Sequence, residues 1–288
     1  MIRVYKMGMS YYLNSIDKNS GMTEVKIITE ELKKIKTDKN ILVIINGIRD
    51  EADNTLLSLI NDYDLSIFIM SDSVALETSL DIMNACDIVL HQAPHYNFDN
   101  IKSLQYYSYV PELFYKYCKE LLSQGKIKTI DKKIDMIYFG GNNKNRDDKF
   151  KAYKVGKVST VFSRHKLYET GEDLRISHNE YLKELSEFLY SLVICREDYR
   201  KIGWITSRYF EAIALGNIPF IDFEYDMDNF LVNKDSFLRV NNYESMISIR
   251  NYLKQNPDIA KQTLNELKSK AEESLDKFYL LIEEIINK

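Results

Sequence analysis

Arg208 and Glu211 stand three residues apart in the stretch Trp-Ile-Thr-Ser-Arg-Tyr-Phe-Glu-Ala-Ile-Ala-Leu-Gly-Asn-Ile-Pro-Phe-Ile-Asp, which runs from Trp204 to Asp222. On a helix that spacing puts a cation and a carboxylate on one face, one turn apart. Near a helix N-terminus such a pair suits a nucleotide. The guanidinium and the helix end can hold a diphosphate, and the carboxylate can accept both ribose hydroxyls. The alternative is an intrahelical ion pair on a solvated face, which contributes little. Local signals bound the element. Thr206 or Ser207 can cap the helix start. Gly216 ends it and Pro219 blocks its continuation, ahead of a buried strand from Ile218 to Asp222.

Two further places carry chemistry. Asp72 directly follows the apolar run Ile67-Phe68-Ile69-Met70-Ser71. A carboxylate at the carboxyl end of a buried strand can act as a general base; it can equally close an Asx turn or cap a helix. The second place is Gly140-Gly141-Asn142-Asn143-Lys144-Asn145-Arg146. Glycines let the backbone approach phosphates, and the cations neutralise them. This loop opens a basic segment. From Asn142 to Lys166 eight cations face two acids, a net charge of +6, which leaves −10 on the remainder of a chain whose total is −4. Within it Lys149, Lys151 and Lys154 can meet a polyanion, or they can be a solvated helix face.

Other constellations are weaker. His91 and His95 are four apart, but Pro94 breaks any helix between them, so the sequence predicts no zinc site. Asp62-Tyr63-Asp64 and Asp226-Met227-Asp228 have the spacing of a two-carboxylate metal clamp. The first pair precedes its strand instead of following it, and the second comes late in the chain, so no metal ligand is assigned. Tyr106, Tyr107, Tyr109, Tyr115 and Tyr117 can stack bases or, more commonly, pack an interdomain hinge. Ser163-Arg164-His165 has no separate reading.

These residues need a scaffold. The sequence reads as two alternating series of strands and helices. The first has strands at residues 2–7, 40–45, 65–70 and 87–91, with helices at 23–36, 56–62, 79–86 and 111–122. Gly125 and a Lys-rich segment to Lys133 form a linker. The second has strands at 134–139, 158–162, 192–195 and 218–222, with helices at 146–153, 180–190 and 207–215. Two closing helices cover 243–253 and 258–286. Apolar strands without alternation signal parallel sheets covered on both faces. The fold class is therefore α/β, with two Rossmann-like doubly wound domains facing a central cleft. A length of 288 residues and an apolar fraction of 45% support cores of that size without disulfides. Cys86, Cys118 and Cys195 lack metal spacing and read as reduced thiols. No apolar run is long enough for a membrane span, and no signal-peptide pattern opens the chain, so a cytoplasmic protein without a membrane partner is expected. A net charge of −4 argues against a uniformly basic nucleic-acid binder.

In this order the segments resemble the T-even phage DNA β-glucosyltransferase family, a two-Rossmann glycosyltransferase of the GT-B type. The likeness is patchy but runs along most of the chain. Ile67 to Ser73 is similar to the family strand that ends in its catalytic Asp, which implies Asp72 as the base. Val110-Pro111-Glu112 resembles the entry to the second domain. Asp135-Met136-Ile137-Tyr138-Phe139-Gly140-Gly141 resembles the strand and turn before the diphosphate-binding cations, for which Lys144 and Arg146 fall closest. Ile176 lies where the family's backbone meets the uracil, and Tyr199 where a cleft tyrosine sits. Arg208 and Glu211 match the diphosphate arginine and the ribose glutamate. Arg239-Val240-Asn241-Asn242 resembles the strand end beyond them, and Glu24 matches a cleft glutamate.

The resemblance implies residues 1–125 as an acceptor domain and 126–267 as a UDP-sugar domain, with a final helix at about 268–288 that can pack back on the first. It implies an inverting single displacement from UDP-glucose or another UDP-sugar to a hydroxymethyl pyrimidine in duplex DNA. The host cytoplasm, a monomer, no tightly bound cofactor, and stimulation by Mg2+ or Mn2+ complete the expectation. Departures concern the acceptor. The chain is shorter than the phage enzyme, and its connections after the first strand and near Asp99 differ where the family meets DNA. Lys144 stands where the family prefers Arg, a point charge in place of a fork, and Asn142 replaces a phosphate-contacting Ser. A cell-envelope glycan or small molecule as acceptor, or a DNA-binding relative without catalysis, are the alternatives.

Overall fold

The computed structural model describes residues 1–6, 27–28, 30–45, 54–70, 79–97, 101, 104–107, 110–127, 132–139, 146–155, 161–164, 178–194, 196–226 and 229–288. Glu24, Asp72, Gly141, Asn142, Lys144 and Ile176 lie outside them, as do Cys195 and Asp228. The chain forms two compact units. The first is Met1–Leu113 with Ser274–Lys288, and the second is Phe114–Glu273.

The first unit carries five parallel strands, β1 (Ile2–Lys6), β2 (Ile41–Ile45), β3 (Leu65–Ile69), β4 (Ile88–His91) and β5 (Leu104–Tyr107), paired in chain order. All five residues of β2 are buried, as expected of a strand covered on both faces. Short helices α1 (Asn54–Ile60) and α2 (Leu80–Ala85) lie between strands. Strand β5 falls in the tyrosine-rich stretch, where the sequence reading placed no element. The long last helix, which begins in the second unit, buries Ile282, Ile285 and Ile286 here. Lys39 Nζ donates to the Ile286 carbonyl at 3.1 Å, and the Tyr279 hydroxyl donates to Glu31.

The boundary between the units falls within helix α3 (Val110–Ser123), most of which belongs to the second unit. Its strands are β6 (Lys133–Phe139), β7 (Val161–Arg164), β8 (Phe188–Val193), β9 (Ile218–Asp222) and β10 (Arg239–Val240), all parallel. They are ordered β10-β9-β8-β6-β7. The chain therefore leaves β6 toward β7 and returns past β6 to β8. This reversal marks a doubly wound sheet, and ligands of such sheets bind beyond the strand ends that flank it. Helices α4 (Asp147–Ala152), α5 (His178–Ser186), α6 (Glu197–Ile202), α7 (Arg208–Ala214), α8 (Tyr243–Gln255) and α9 (Pro257–Asn287) complete the chain.

Two expectations fail here. The expected helix over 180–190 ends at Ser186, and β8 begins at Phe188 rather than at Leu192. Leu182, Leu185 and Leu189 fit a helical period, but Phe188 to Val193 is also an apolar run of strand length, and the sheet takes it. The short helix α6 was not expected. Glu197 and Asp198 in its first turn, Arg200 and Lys201 in its last, and Gly203 at φ 71° beyond it are its local signals.

The bottom of this sheet is tied by one lysine. Lys132 Nζ donates to the carbonyls of Ser186, Phe188 and Leu215 at 3.0, 3.0 and 2.8 Å. Burial lowers its pKa to about 8. Gly216 ends α7 at φ +78°, and a Cβ there would sit 3.4 Å from Lys132 Cε.

Candidate functional site

Beyond the carboxyl ends of β6 and β8, three arginines share one neighbourhood. Tyr138, the penultimate residue of β6, feels the charge of all three. Its ring meets Phe150 of α4 edge-on at 5.2 Å. Its hydroxyl is buried with no hydrogen-bond partner among the described residues. Burial raises the phenol pKa, and the charges of Arg146, Arg208 and Arg196 pull against that rise.

Arg146, immediately before α4, is buried. Burial lowers its pKa; Tyr138 opposes the shift, while Arg208 and Arg196 add to it. Arg196 comes three residues after β8. Its Nε donates to Asp198 Oδ1 at 3.0 Å, its Nη2 donates to Asp198 Oδ2, and its guanidinium lies 4.4 Å from the centre of the Tyr199 ring. Arg208 opens α7 and is half-buried. Among the described residues it makes no hydrogen bond or ion pair. Burial works against its charge, but Tyr181, Tyr138, Glu211 and Tyr199 more than offset this and raise its pKa.

The expected face-sharing of Arg208 and Glu211 is present, but the face is not solvated. Every residue from Tyr209 to Ala214 is buried, Glu211 among them at 1% exposure. The Tyr181 hydroxyl donates to Glu211 Oε2 at 2.7 Å, and the Tyr181 ring stands edge-on to Phe139 at 4.7 Å. The expected helix cap is not made. Ser207 occupies the N-cap without a side-chain hydrogen bond, and Thr206 engages the Tyr225 hydroxyl through both its amide and its Oγ1. Arg146, Tyr199, Arg208 and Glu211 are thus brought into one electrostatic neighbourhood. Tyr138, Tyr181 and Arg196 belong to it and were not foreseen. No local pattern in the sequence marks Arg196.

The lysines assigned to a polyanion lie differently. Lys149 Nζ is 2.9 Å from both Asp222 Oδ1 and Glu224 Oε2. Burial opposes its charge, but Asp222 and Glu224 hold its pKa above the ordinary value. Arg200 completes this group through Glu224 at 3.0 Å. Lys154 pairs with Glu244 at 2.8 Å and lies over the Tyr243 ring. Lys151 is the most exposed of the three, at 3.5 Å from Asp148.

Of the Asp226/Asp228 pair only Asp226 is described, and its carboxylate is taken up by hydrogen bonds. Its oxygens accept from the amides of Phe230, Leu231 and Val232, and from Arg239 at 3.0 Å. Arg239 also bonds four carbonyls of the surrounding loop. The pair is buried and fastens the turn after β9. Among the described residues no three His, Cys, Asp or Glu side chains converge as metal ligands. Cys86 and Cys118 are free, buried thiols. No helix among the described residues is long and apolar enough to cross a membrane.

Comparison with solved structures agrees with this architecture. The chain superposes on T4 phage BGT in complex with UDP and Mn2+ with a TM-score of 0.64 and 17% identity, over 100% of this chain and 99% of that one. A point mutant of T4 phage BGT in complex with UDP-glucose gives 0.63 and 17% over the same shares. No family model matches the chain, and no curated protein matches it. The fold is that of the phage protein: α/β, with two parallel sheets.

Proposed function

We propose that the protein is a UDP-sugar-dependent glycosyltransferase that acts on a hydroxymethyl pyrimidine in DNA. The observation that carries this reading is the position of Arg146, Arg196 and Arg208 around a buried tyrosine at the strand-order reversal of the second sheet. A site rich in guanidinium groups and placed where such sheets bind ligands suits a diphosphate. The phage protein with the same fold binds UDP and UDP-glucose.

In this reading Lys144, Arg146 and Arg208 hold the donor diphosphate, with the Gly141 and Asn142 backbone beside it. Glu211 accepts the ribose hydroxyls, oriented by Tyr181. Ile176 meets the uracil, and Tyr199 and Glu24 line the donor site. Asp72, which follows β3 by three residues, takes the acceptor proton. A primary alcohol is too weak an acid to ionise first, so the proton moves to the carboxylate while the oxygen attacks the anomeric carbon. The bond from that carbon to the UDP oxygen breaks, and its electron pair leaves with UDP. The cations meet the charge that develops there. Inversion follows from a single displacement. Mg2+ or Mn2+, if bound, would supply further positive charge to the departing UDP, and no residue of the chain is assigned as its ligand. The target base must leave the stack to react, and of Lys149, Lys151 and Lys154, assigned to the DNA backbone, Lys151 is the most exposed and Lys149 the least.

Labelled UDP-sugars incubated with duplexes containing hydroxymethylcytosine, hydroxymethyluracil or neither test this. Label should enter hydroxymethylated DNA and not plain DNA. Label on neither DNA would contradict the acceptor assignment and favour a glycan or small-molecule acceptor.

A further inference from the structure

We propose that Arg196 is an additional diphosphate ligand of the donor site, and that Asp198 is its placeholder counter-ion, released when the donor binds. This rests on the donor reading above. Four observations support it. Arg196 leaves the sheet at β8, one of the two strands that flank the reversal. Its charge reaches both Tyr138 and Arg146, so it shares their neighbourhood. It is held in a two-point fork by Asp198 and stacked over Tyr199. Finally, two groups of the same neighbourhood await a partner. The Tyr138 hydroxyl is buried at 2% exposure without one, and Arg208 makes no hydrogen bond among the described residues.

The chemistry of the fork explains the pairing. A carboxylate and a phosphate present the same planar pair of oxygens to a guanidinium. Asp198 can therefore hold Arg196 in the geometry a phosphate needs while the site is empty. Arg196 is 29% exposed and Asp198 41%, so the carboxylate can return to water when a diphosphate takes its place. The Tyr199 ring keeps the guanidinium plane fixed through the exchange. No covalent step is involved. The pair is instead a competition, in which the site's own acid lowers the apparent affinity for the donor.

Two substitutions read this in opposite directions. Arg196→Ala should weaken UDP binding roughly 10- to 100-fold, the range for one charged hydrogen-bonding group, and weaken uridine binding little. Asp198→Asn should tighten UDP binding by about threefold or more, because the competitor loses its charge. A misfolded variant cannot bind more tightly, so this gain separates the proposal from damage. Arg196→Lys should recover only part of the loss, since an ammonium lacks the fork and the stacking plane. Titration calorimetry of the full chain with UDP and with uridine gives all the values. If wild type binds UDP and Arg208→Ala weakens it, while Arg196→Ala and Asp198→Asn both match wild type, the pair is only a local salt bridge and this inference fails alone. If wild type binds no UDP, the donor reading fails and takes the inference with it.

Discussion

Two groups of charge stand at the carboxyl edge of the second sheet, and they are built differently. Beyond β9, Lys149 and Arg200 face Asp222 and Glu224, two cations against two carboxylates, each within 3.0 Å of a partner. Beyond β6 and β8, Arg146, Arg196 and Arg208 share their neighbourhood with Asp198 and Glu211, three cations against two carboxylates among the described residues. In the first group every cation has a carboxylate partner, and the only buried side-chain atom left without a hydrogen bond among the described residues is Asp222 Oδ2. The second contains, among the described residues, a cation with no hydrogen bond and a buried hydroxyl with none. A basic stretch of sequence is therefore a poor guide by itself: Lys149 lies in the most basic segment and is committed to structure, while Arg208 lies in an apolar helix and is available to a ligand.

The largest expected effect lies outside both groups. Asp72→Asn keeps the side chain's shape and removes the base, so transfer should fall roughly 100-fold or more while UDP-sugar affinity stays constant. Steady-state turnover beside a donor titration checks this. Wild-type turnover would move the base elsewhere, with Glu24 next in line.

Next in size is the group beyond β9. Lys149→Met should leave the fully buried Asp222 without its cation and cost about 3 kcal/mol of stability, read by chemical denaturation. UDP affinity should not follow. If instead stability holds and UDP affinity falls, the two groups have been assigned the wrong way round.

A smaller effect comes from the other sheet. Burial holds His91, at the end of β4, neutral, with its pKa lowered from 6.5 to about 4. Below pH 6.5 the unfolded chain takes up a proton that folded His91 refuses until about pH 4. Its contribution to stability is therefore complete above pH 6.5 and is lost as the pH falls through that window. Denaturation curves at pH 7.0, about 5.5 and about 4.5 should show this slope, and His91→Gln should flatten it. UDP binding at the arginine group of the second unit should not track it.

Exposed charges should matter least to the fold. Replacing Lys151 and Lys154 with Ala should change stability by less than about 1 kcal/mol. If they meet DNA phosphates, binding should lose salt dependence, by about 0.9 in slope for each contact removed. An unchanged slope would place the DNA backbone elsewhere.

Most of the scaffold was legible because its strands are unbroken apolar runs. Ile218 to Asp222 and Ile41 to Ile45 cannot be amphipathic helices, and Gly216 with Pro219 fixes where α7 stops. The β8 boundary was not legible, since Leu182, Leu185 and Leu189 continue a helical period into a strand that only its place in the sheet decides. Arg208 and Glu211 could be read from spacing, and the structure adds that their face is buried. Arg196 was missed because a single cation beyond a strand has no pattern until Asp198 and Tyr199 are seen to hold it. The fate of Lys149 was illegible for the opposite reason, as its partners Asp222 and Glu224 lie about 75 residues away in sequence and no local rule links them.

The account's central claim is that the arginine group at the strand-order reversal is a diphosphate site and the lysine group beside it is not. Calorimetric titration of UDP into wild type, Arg208→Ala and Lys149→Met tests it directly. Wild type should bind UDP, Arg208→Ala should lose about 1.5–3 kcal/mol of binding energy, and folded Lys149→Met should bind as wild type does. Equal affinity in wild type and Arg208→Ala, with the loss confined to Lys149→Met, would contradict it.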